Sequence, residues 1–157
     1  MNRYQSAHQK RVSRQQEKKA AKDLGGRTQA ASGAAQFGGG DVRAPGYRIE
    51  CKYTDKDKYV LKLTDLNKLK QHAFKALEQP VMQLVFRSGG RVVGEFAIIR
   101  TQNLSAFFTP SKTHTTVLGD INCHHVNKVK YGIHFLGEID SWEIIQWQDF
   151  VQQARAA

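Results

Sequence analysis

Three features that the sequence lacks narrow the class of protein. No apolar run approaches the roughly 18 residues that are needed to cross a bilayer. The N-terminus is basic and polar with no apolar stretch behind it, which is not typical of a secretory signal. Only two cysteines are present, Cys51 and Cys123, too few for a disulfide framework. We therefore expect a cytoplasmic protein without a membrane partner, or one of the host-cell cytoplasm if a phage encodes it.

The sequence also has fewer acidic residues than basic ones. The 157 residues include 14 Asp and Glu against 24 Lys and Arg, which gives a formal net charge of +10. A protein this basic is attracted to polyanions, and nucleic acid is the commonest of these. Charge that serves only solubility is the alternative. We expect a nucleic-acid partner, although basicity by itself says nothing about catalysis.

The N-terminal segment carries most of the surplus charge. Residues 1–30 contain eight Lys and Arg and two acids. Good helix formers from about residue 5 to residue 24 predict a helix that a glycine pair ends. Arg14, Lys18 and Lys22 recur every four residues and predict a basic stripe on this helix. The expected DNA-binding residues of the segment are Lys10, Arg11, Arg14, Lys18, Lys22 and Arg27.

The same helix is predicted to have an inward face that includes an acid. Glu17 follows the helical spacing of the apolar residues Ala20 and Leu24, so its carboxylate turns toward the rest of the domain. An unpaired inward carboxylate is costly. We therefore assign Glu17 to a functional site. An exposed ion pair with a neighbour such as Arg14 is the alternative.

Strand signals follow the helix. Residues 28–40 (TQAASGAAQFGGG) predict a short strand and then a glycine-rich loop whose backbone approaches another group closely. Residues 47–53 (YRIECKY) alternate, which predicts a strand with Arg48, Glu50 and Lys52 on one face.

The remaining elements alternate between strands and helices. Thr64 is predicted to cap a helix over residues 66–77 that Pro80 stops. Ser88-Gly89-Gly90 predicts a hairpin. The other expected elements are strands at 59–63, 81–86, 91–99, 131–136 and 142–147, a short helix at 104–108, a long, partly irregular loop at 109–130 and a closing helix at 148–155. This order predicts a single α/β domain with a mixed sheet over residues 1–157.

Asp41, Glu50 and Lys52 form the pattern with the clearest chemistry. Glu50 and Lys52 lie roughly 6.5–7 Å apart along the predicted strand, and a short turn brings Asp41 beside their face. Two carboxylates with water and phosphate oxygens suit octahedral Mg²⁺. A lysine beside them can orient a water or stabilise developing charge. An exposed strand face with a weak Glu50–Lys52 pair is the alternative.

Two other patterns are weaker. Cys123-His124-His125 suggests zinc, but no second Cys or His pair stands at ligand spacing. The glycines at 38–40 lack the Lys-Ser/Thr that follows in a phosphate-binding P-loop. Cys51 points away from Glu50 in the predicted strand, so we expect a small core residue rather than a nucleophile.

Several motifs occur in an order that resembles the PD-(D/E)XK nuclease superfamily: Glu17 on the first helix, Ser32-Gly33, Asp41 and I-E-C-K at 49–52. Within it, the chain is most similar to the small Holliday-junction resolvases of archaeal, phage and Gram-positive bacterial type. The resemblance covers about residues 10–108, including the following helix, the strand VMQLVF, the hairpin and LSAFF. One departure is that glycine, not proline, precedes Asp41. The resemblance implies a restriction-endonuclease-like mixed sheet flanked by helices.

The resemblance also implies roles for individual residues. The implied catalytic residues are Glu17, Ser32, Asp41, Glu50 and Lys52. The implied ligands of Mg²⁺, with Mn²⁺ as the alternative ion, are Asp41, Glu50 and the backbone carbonyl of Cys51. In this pattern Lys52 is the catalytic lysine, Glu17 is an accessory acid near the metal, and Ser32 lies beside the scissile phosphate.

The function that the resemblance implies is a Mg²⁺-dependent endonuclease that cuts branched DNA in recombination and repair. A four-way junction needs paired cuts in opposing strands, so a homodimer is expected. Two alternatives remain open. One is a repair or restriction-type nuclease on the same fold, and the other is a basic nucleic-acid-binding module without activity.

Overall fold

The structure, a computed structural model, describes residues 3–29, 41–101, 107–108, 115–118 and 131–157. Helix α1, Arg3–Leu24, is its first element. The other described elements are β1 Arg27–Thr28, β2 Val42–Ala44, β3 Tyr47–Thr54, β4 Tyr59–Lys62, α2 Leu63–Lys75, β5 Gln79–Ser88, β6 Arg91–Thr101, β7 Phe107–Phe108, β8 Thr115–Leu118, β9 Tyr131–His134, β10 Ser141–Gln146 and α3 Trp147–Ala156. No helix within these ranges is both long and apolar enough to span a membrane.

Helix α1 ends in a Schellman motif, which explains the glycine pair in the sequence. Gly25 has a φ of 64° and donates its N–H to the carbonyl of Lys22, while Gly26 donates to that of Ala21 at 2.8 Å. A Cβ on Gly26 would lie 2.3 Å from the carbonyl oxygen of Arg43. Because only glycine fits so close an approach, the helix end is held directly against β2.

One mixed sheet organises the described residues. Eight strands follow the order β1-β2-β3-β5-β6-β10-β9-β7, and β4 pairs with β8 in a separate two-stranded sheet. Strands β3 and β5 are parallel neighbours, with Glu50 opposite Met82 and Lys52 opposite Leu84. The chain between them carries α2, because parallel strands need a crossover connection. The expected α/β fold, a mixed sheet flanked by helices, is confirmed.

Apolar layers cover both faces of the sheet. Helix α2 packs Leu66 and Leu69 into one layer, and α1 and α3 pack into the other, which includes Ile49 of β3. Strand β5 lies between them and is buried throughout residues 80–85. Cys51 packs against the same layer as Ile49. The predicted alternation of β3 is therefore confirmed. The side chains of Glu50 and Lys52 leave the strand on the opposite face.

The predicted hairpin is confirmed with the expected turn. Ser88 pairs with Arg91, so Gly89 and Gly90 are the two loop residues. Their φ values are 55° and 77°, and two positive values are those of a type I′ turn. The strands on either side are longer than the sequence pattern predicts, since β5 and β6 together cover residues 79–101 except for the turn.

Three local predictions are wrong. Thr64 does not cap α2, because β4 runs straight into the helix and the cap position, Lys62, makes no side-chain hydrogen bond. Pro80 lies inside β5, and α2 ends before it at Lys75. Residues 107–108 form a strand parallel to β9 instead of part of a helix. The segment 109–130, expected to be a partly irregular loop, contains β8 within its described residues. Each of these two strands is short and pairs with a segment distant in the chain.

Candidate active site

Asp41 is fixed by hydrogen bonds from both its backbone and its side chain. Its N–H donates to the carbonyl of Ile49 at 2.8 Å, and its own carbonyl accepts from the N–H of Gln29 at 2.8 Å. The residue thus extends β2 by one position, between β1 and β3. Its carboxylate oxygen Oδ2 accepts from the N–H of Cys51 at 2.8 Å. The short turn expected from the sequence therefore does bring this carboxylate beside the centre of β3.

Glu50 and Lys52 flank the residue that Asp41 contacts. The Nζ of Lys52 lies 3.0 Å from Oε1 of Glu50, and both side chains are partly exposed. The N–H and C=O of one strand residue point toward the same neighbouring strand. Since the N–H of Cys51 points to Asp41, its carbonyl oxygen faces the same edge of β3. Two carboxylates, one backbone carbonyl and one ammonium group therefore converge there.

Glu17 approaches this edge from α1. The pKa of Glu17 is raised by burial and then by the carboxylate of Asp41, while the guanidinium of Arg14 opposes the shift. Glu50 raises it further. The helix buries Ala20, Ala21 and Leu24 on the side predicted for Glu17. Glu17 is thus in electrostatic contact with the two strand-side carboxylates, which an outward-facing residue of α1 would not be.

The charges of the site repel one another in part. Burial and then the neighbouring Glu50 raise the pKa of Asp41, and the N–H of Cys51 and the ammonium of Lys52 offset this only partly. Burial alone would lower the pKa of Lys52, but Glu50 raises it through charge and a hydrogen bond. Lys52 therefore carries a proton at neutral pH. The carboxylates retain negative potential that a divalent cation would neutralise.

The donor atoms suit a hard cation better than a soft one. Within the described ranges, no group of three or more His, Cys, Asp or Glu side chains is arranged to hold a metal ion. Two carboxylates and a backbone carbonyl are a smaller set, and all three are oxygen donors. Mg²⁺ commonly keeps several waters and takes only one or two carboxylates from the protein, so this set fits it.

Cys51 does not have the properties of a nucleophile. Burial raises the pKa of its thiol well above the usual value, and the carboxylates of Asp41 and Glu17 raise it further. The thiol therefore stays protonated, and its side chain packs with the layer under α1 and α3. This is the small core residue that the strand pattern predicts.

Some predicted residues cannot be compared with the structure. Ser32 and the glycines at 38–40 lie outside the described residues, as do Cys123, His124 and His125. The positions that the sequence suggests for Ser32, beside the scissile phosphate, and for the glycines, in a closely approaching loop, stay predictions.

The predicted DNA-binding side chains are exposed, but they do not form one surface. Lys10, Arg11, Arg14 and Lys18 line a shallow depression of about 430 Å³ along α1. Lys22 is exposed one turn beyond Lys18. Arg27 instead lies in a second depression beside Arg43 and Glu78. The helix stripe is therefore continuous, and Arg27 is separate from it.

Two residues near the site were not predicted. Gln16, the neighbour of Glu17, donates from Nε2 to the carbonyl oxygen of Lys52 at 2.9 Å. Tyr59 is half-buried, and its phenol interacts electrostatically with Lys52 and Glu50. Neither contact follows from periodicity, because each joins elements whose relative placement the sequence pattern does not give.

A comparison with protein-family models, with curated proteins and with solved structures found no match to this chain. The site is therefore described by its own geometry. Its features are two carboxylates and a protonated lysine at one edge of β3 in a mixed sheet, with a third carboxylate on a basic helix that packs over that strand.

Proposed function

We propose that the protein is a Mg²⁺-dependent, structure-selective DNA endonuclease, in particular one that resolves four-way junctions. The observation that carries the proposal is the convergence at β3: the Asp41 carboxylate on the N–H of Cys51, with Glu50 and Lys52 on either side. An ion pair with a purely structural role would account for the presence of Glu50 and Lys52, but for no other residue of the site. It does not explain the further carboxylates: Asp41 and Glu50 raise the pKa of Glu17, and Glu50 raises that of Asp41.

Each residue has a defined part in the proposed reaction. Asp41, Glu50 and the carbonyl of Cys51 would hold Mg²⁺, or Mn²⁺ in its place. The bound ion would polarise the scissile phosphate and lower the pKa of an attacking water. Lys52 donates hydrogen bonds from its ammonium to the phosphate oxygen on which negative charge develops. Glu17 adds negative charge and an acceptor for water at the edge of the site.

The basic stripe of α1 supports DNA as the substrate. Lys10, Arg11, Arg14 and Lys18 are exposed along one side of the helix whose Glu17 faces the carboxylates. Contacts from such a stripe to backbone phosphates would position a strand against β3 without reading its sequence. Selection of branched DNA and a two-fold dimer are the finer parts of the proposal, because paired cuts across a junction require two sites related by symmetry.

A cleavage assay separates the competing functions. The full chain is incubated with an end-labelled four-way junction, a linear duplex of the same sequence and a single strand, with and without Mg²⁺. Mg²⁺-dependent paired nicks in the junction alone support the proposal. Cutting of the duplex or single strand favours a repair or restriction-type nuclease, and binding without any cutting favours a nucleic-acid-binding module.

Two substitutions test the assigned carboxylates. Asp41→Asn and Glu50→Gln should each lower cleavage by at least about 100-fold, because they remove the charge that binds the ion. Junction binding should be retained or strengthened, since repulsion of the phosphates also falls. Asp149→Asn is the matched control, because it makes the same change at an exposed position of α3. Cleavage at the wild-type rate by either site variant would contradict the assignment.

A further inference from the structure

Gln83 is a polar residue in the most apolar part of the sheet. It lies in the centre of β5 and is 0% exposed, between the buried residues Met82 and Leu84. A buried amide is tolerated only when it is hydrogen-bonded. The Oε1 of Gln83 accepts from Nε2 of Gln16 at 3.0 Å, and its own Nε2 donates to Oε1 of Glu95 at 2.8 Å.

Gln16 completes the contact with the strand that carries the site. Its Nε2 donates both to Oε1 of Gln83 and to the carbonyl oxygen of Lys52. One side-chain nitrogen of α1 is thus bonded to β3 and β5 at once. The orientation of the amide is fixed, because a flipped amide would turn an oxygen toward two acceptors.

One atom of the Gln16 amide makes an unfavourable contribution to stability. Its Oε1 is buried and has no hydrogen-bond donor among the residues that the structure describes. A buried acceptor without a donor is destabilising, and an apolar side chain of similar size would avoid this. The retained amide therefore points to a need for its two directional donations rather than to a need for stability alone.

The chain of contacts continues to the other end of α1. Lys19 lies 3.2 Å from Glu95 and 2.8 Å from Asp23. Asp23 in turn accepts from Nε1 of Trp147 in α3 at 2.8 Å. Polar contacts thus connect the Lys52 peptide to α3 across the face of the sheet.

Directional contacts matter here because the close approach of Gly26 to β2 fixes only one end of α1. The residues that α1 buries near its C-terminal end include Ala20 and Ala21, whose small side chains interlock weakly with the sheet. One residue of slippage turns a helix by about 100° and moves it 1.5 Å. Such a displacement would carry Glu17 away from Asp41 and would shift the basic stripe.

We propose that Gln16 and Gln83 are a pair of positioning residues that hold α1 in register over β3, so that Glu17 and the basic stripe stay aligned with Asp41, Glu50 and Lys52. This inference rests on the proposed nuclease function. It concerns residues that do not contact the scissile phosphate. It also gives a role to Gln83, the one fully buried glutamine of the described sheet.

The test compares Gln83→Met, Gln16→Met and the double variant with the wild-type chain. Methionine keeps the length of the side chain and removes its hydrogen bonds. With Mg²⁺ and saturating junction, kcat should fall about 10- to 100-fold, because small misplacements of catalytic groups have effects of this size. The KM for the junction should change less than about threefold. The loss of kcat in the double variant should be smaller than the product of the two single losses, since both single variants lose one shared contact. Gln152→Met, at an exposed position of α3, is the matched control.

A measurement without DNA or metal separates this proposal from the proposed function. The backbone amide hydrogens of residues 50–54 and of α1 should exchange faster in both single variants than in the wild-type chain. If the wild-type chain cuts no DNA, the nuclease proposal fails, and faster exchange still supports the positioning contact. Faster exchange with unchanged kcat would reduce the pair to a structural contact and overturn the inference. Unchanged exchange in the Gln16→Met variant, which alters a half-buried helix position and does not threaten the core, would also overturn it.

Discussion

Asp41 contributes to the fold and to the candidate site through different atoms. Its backbone joins β2 to Ile49, and one carboxylate oxygen accepts the N–H of Cys51. An amide at this position keeps an acceptor oxygen but loses the charge. Asp41→Asn therefore affects the site alone, whereas Asp41→Ala would also leave the N–H of Cys51 without this acceptor and would confuse loss of activity with loss of structure.

Glu17→Gln should lower the rate of junction cleavage about tenfold or more, because it removes a charge next to the proposed ion. It should not lower thermal stability. The raised pKa of Glu17 means that folding disfavours its ionised form, so a neutral glutamine should leave the melting temperature equal or slightly higher at pH 7.

Cleavage across a Mg²⁺ titration and thermal denaturation check the two parts of this prediction. Glu138→Gln, which removes one charge in the turn after β9, is the control. A Glu17→Gln variant that cuts normally at every Mg²⁺ concentration would restrict the site to Asp41, Glu50 and Lys52.

Helix α1 carries lysines of two different kinds. Lys18 is exposed in the depression along the basic stripe. Its neighbour Lys19 pairs with Asp23 and Glu95, and these contacts raise its pKa although burial alone would lower it. Adjacent residues of one helix thus point to different partners, one to solvent and one to the sheet.

This difference gives a matched pair of variants. If Lys18 contacts a phosphate, Lys18→Met should weaken DNA binding and make the slope of log K against log salt shallower by about 0.9. Lys19→Met should leave this slope unchanged, because its charge is already neutralised by two carboxylates. Fluorescence titrations between low and moderate salt measure both. Equal slopes for Lys18→Met and the wild-type chain would assign Lys18 to an ordinary solvated surface.

The same elements show what sequence patterns can and cannot predict. Alternation predicted β3, and the glycine pair at 89–90 predicted the hairpin, because these signals are local. Strands β7 and β8 were missed because each pairs with a segment far away in the chain. In the site, residue types and spacing were enough to select Asp41, Glu50 and Lys52. The contacts of Gln16 and Gln83 depend on how α1 lies over the sheet, which no local pattern encodes.

At the scale of the whole molecule, an ion cluster behind the site connects β2 and β3 to the residue that precedes β5. Glu78 lies just before β5 and accepts hydrogen bonds from Arg43 of β2 and Arg48 of β3, at 2.6–2.9 Å. Arg48 is 4% exposed and Glu78 is 8% exposed. The face of β3 that carries Glu50 and Lys52 therefore also supplies one arginine to the core. Loss of Glu78 would leave that arginine without this carboxylate in a buried position.

Glu78→Gln should lower the free energy of unfolding by about 3 kcal/mol at pH 7, because it removes the charged partner from a buried ion pair. Although burial alone would raise the pKa of Glu78, the two arginines lower it from its usual value of 4.5. Its contribution is therefore fully present above pH 4.5 and is lost as the pH falls through the lower value of the folded state.

Urea unfolding at several pH values between 7 and 3 checks this prediction. The wild-type chain should lose stability through that range, and the variant should lose less. A constant difference between the two proteins over the whole range would show that Glu78 acts through packing rather than through its charge.

The contacts of α1 also bear on when the site forms during synthesis. The helix is made before the strands and α3, but Gln16 and Lys19 bond to side chains of β5 and β6, and Asp23 accepts from Trp147 and Arg155 of α3. These partners leave the ribosome only after most of the chain has been made. A nascent chain therefore exposes its basic helix well before Glu17 can settle beside Asp41 and Glu50. Under the proposed function, an unfinished molecule would bind nucleic acid before it had the assembled site that would cut it.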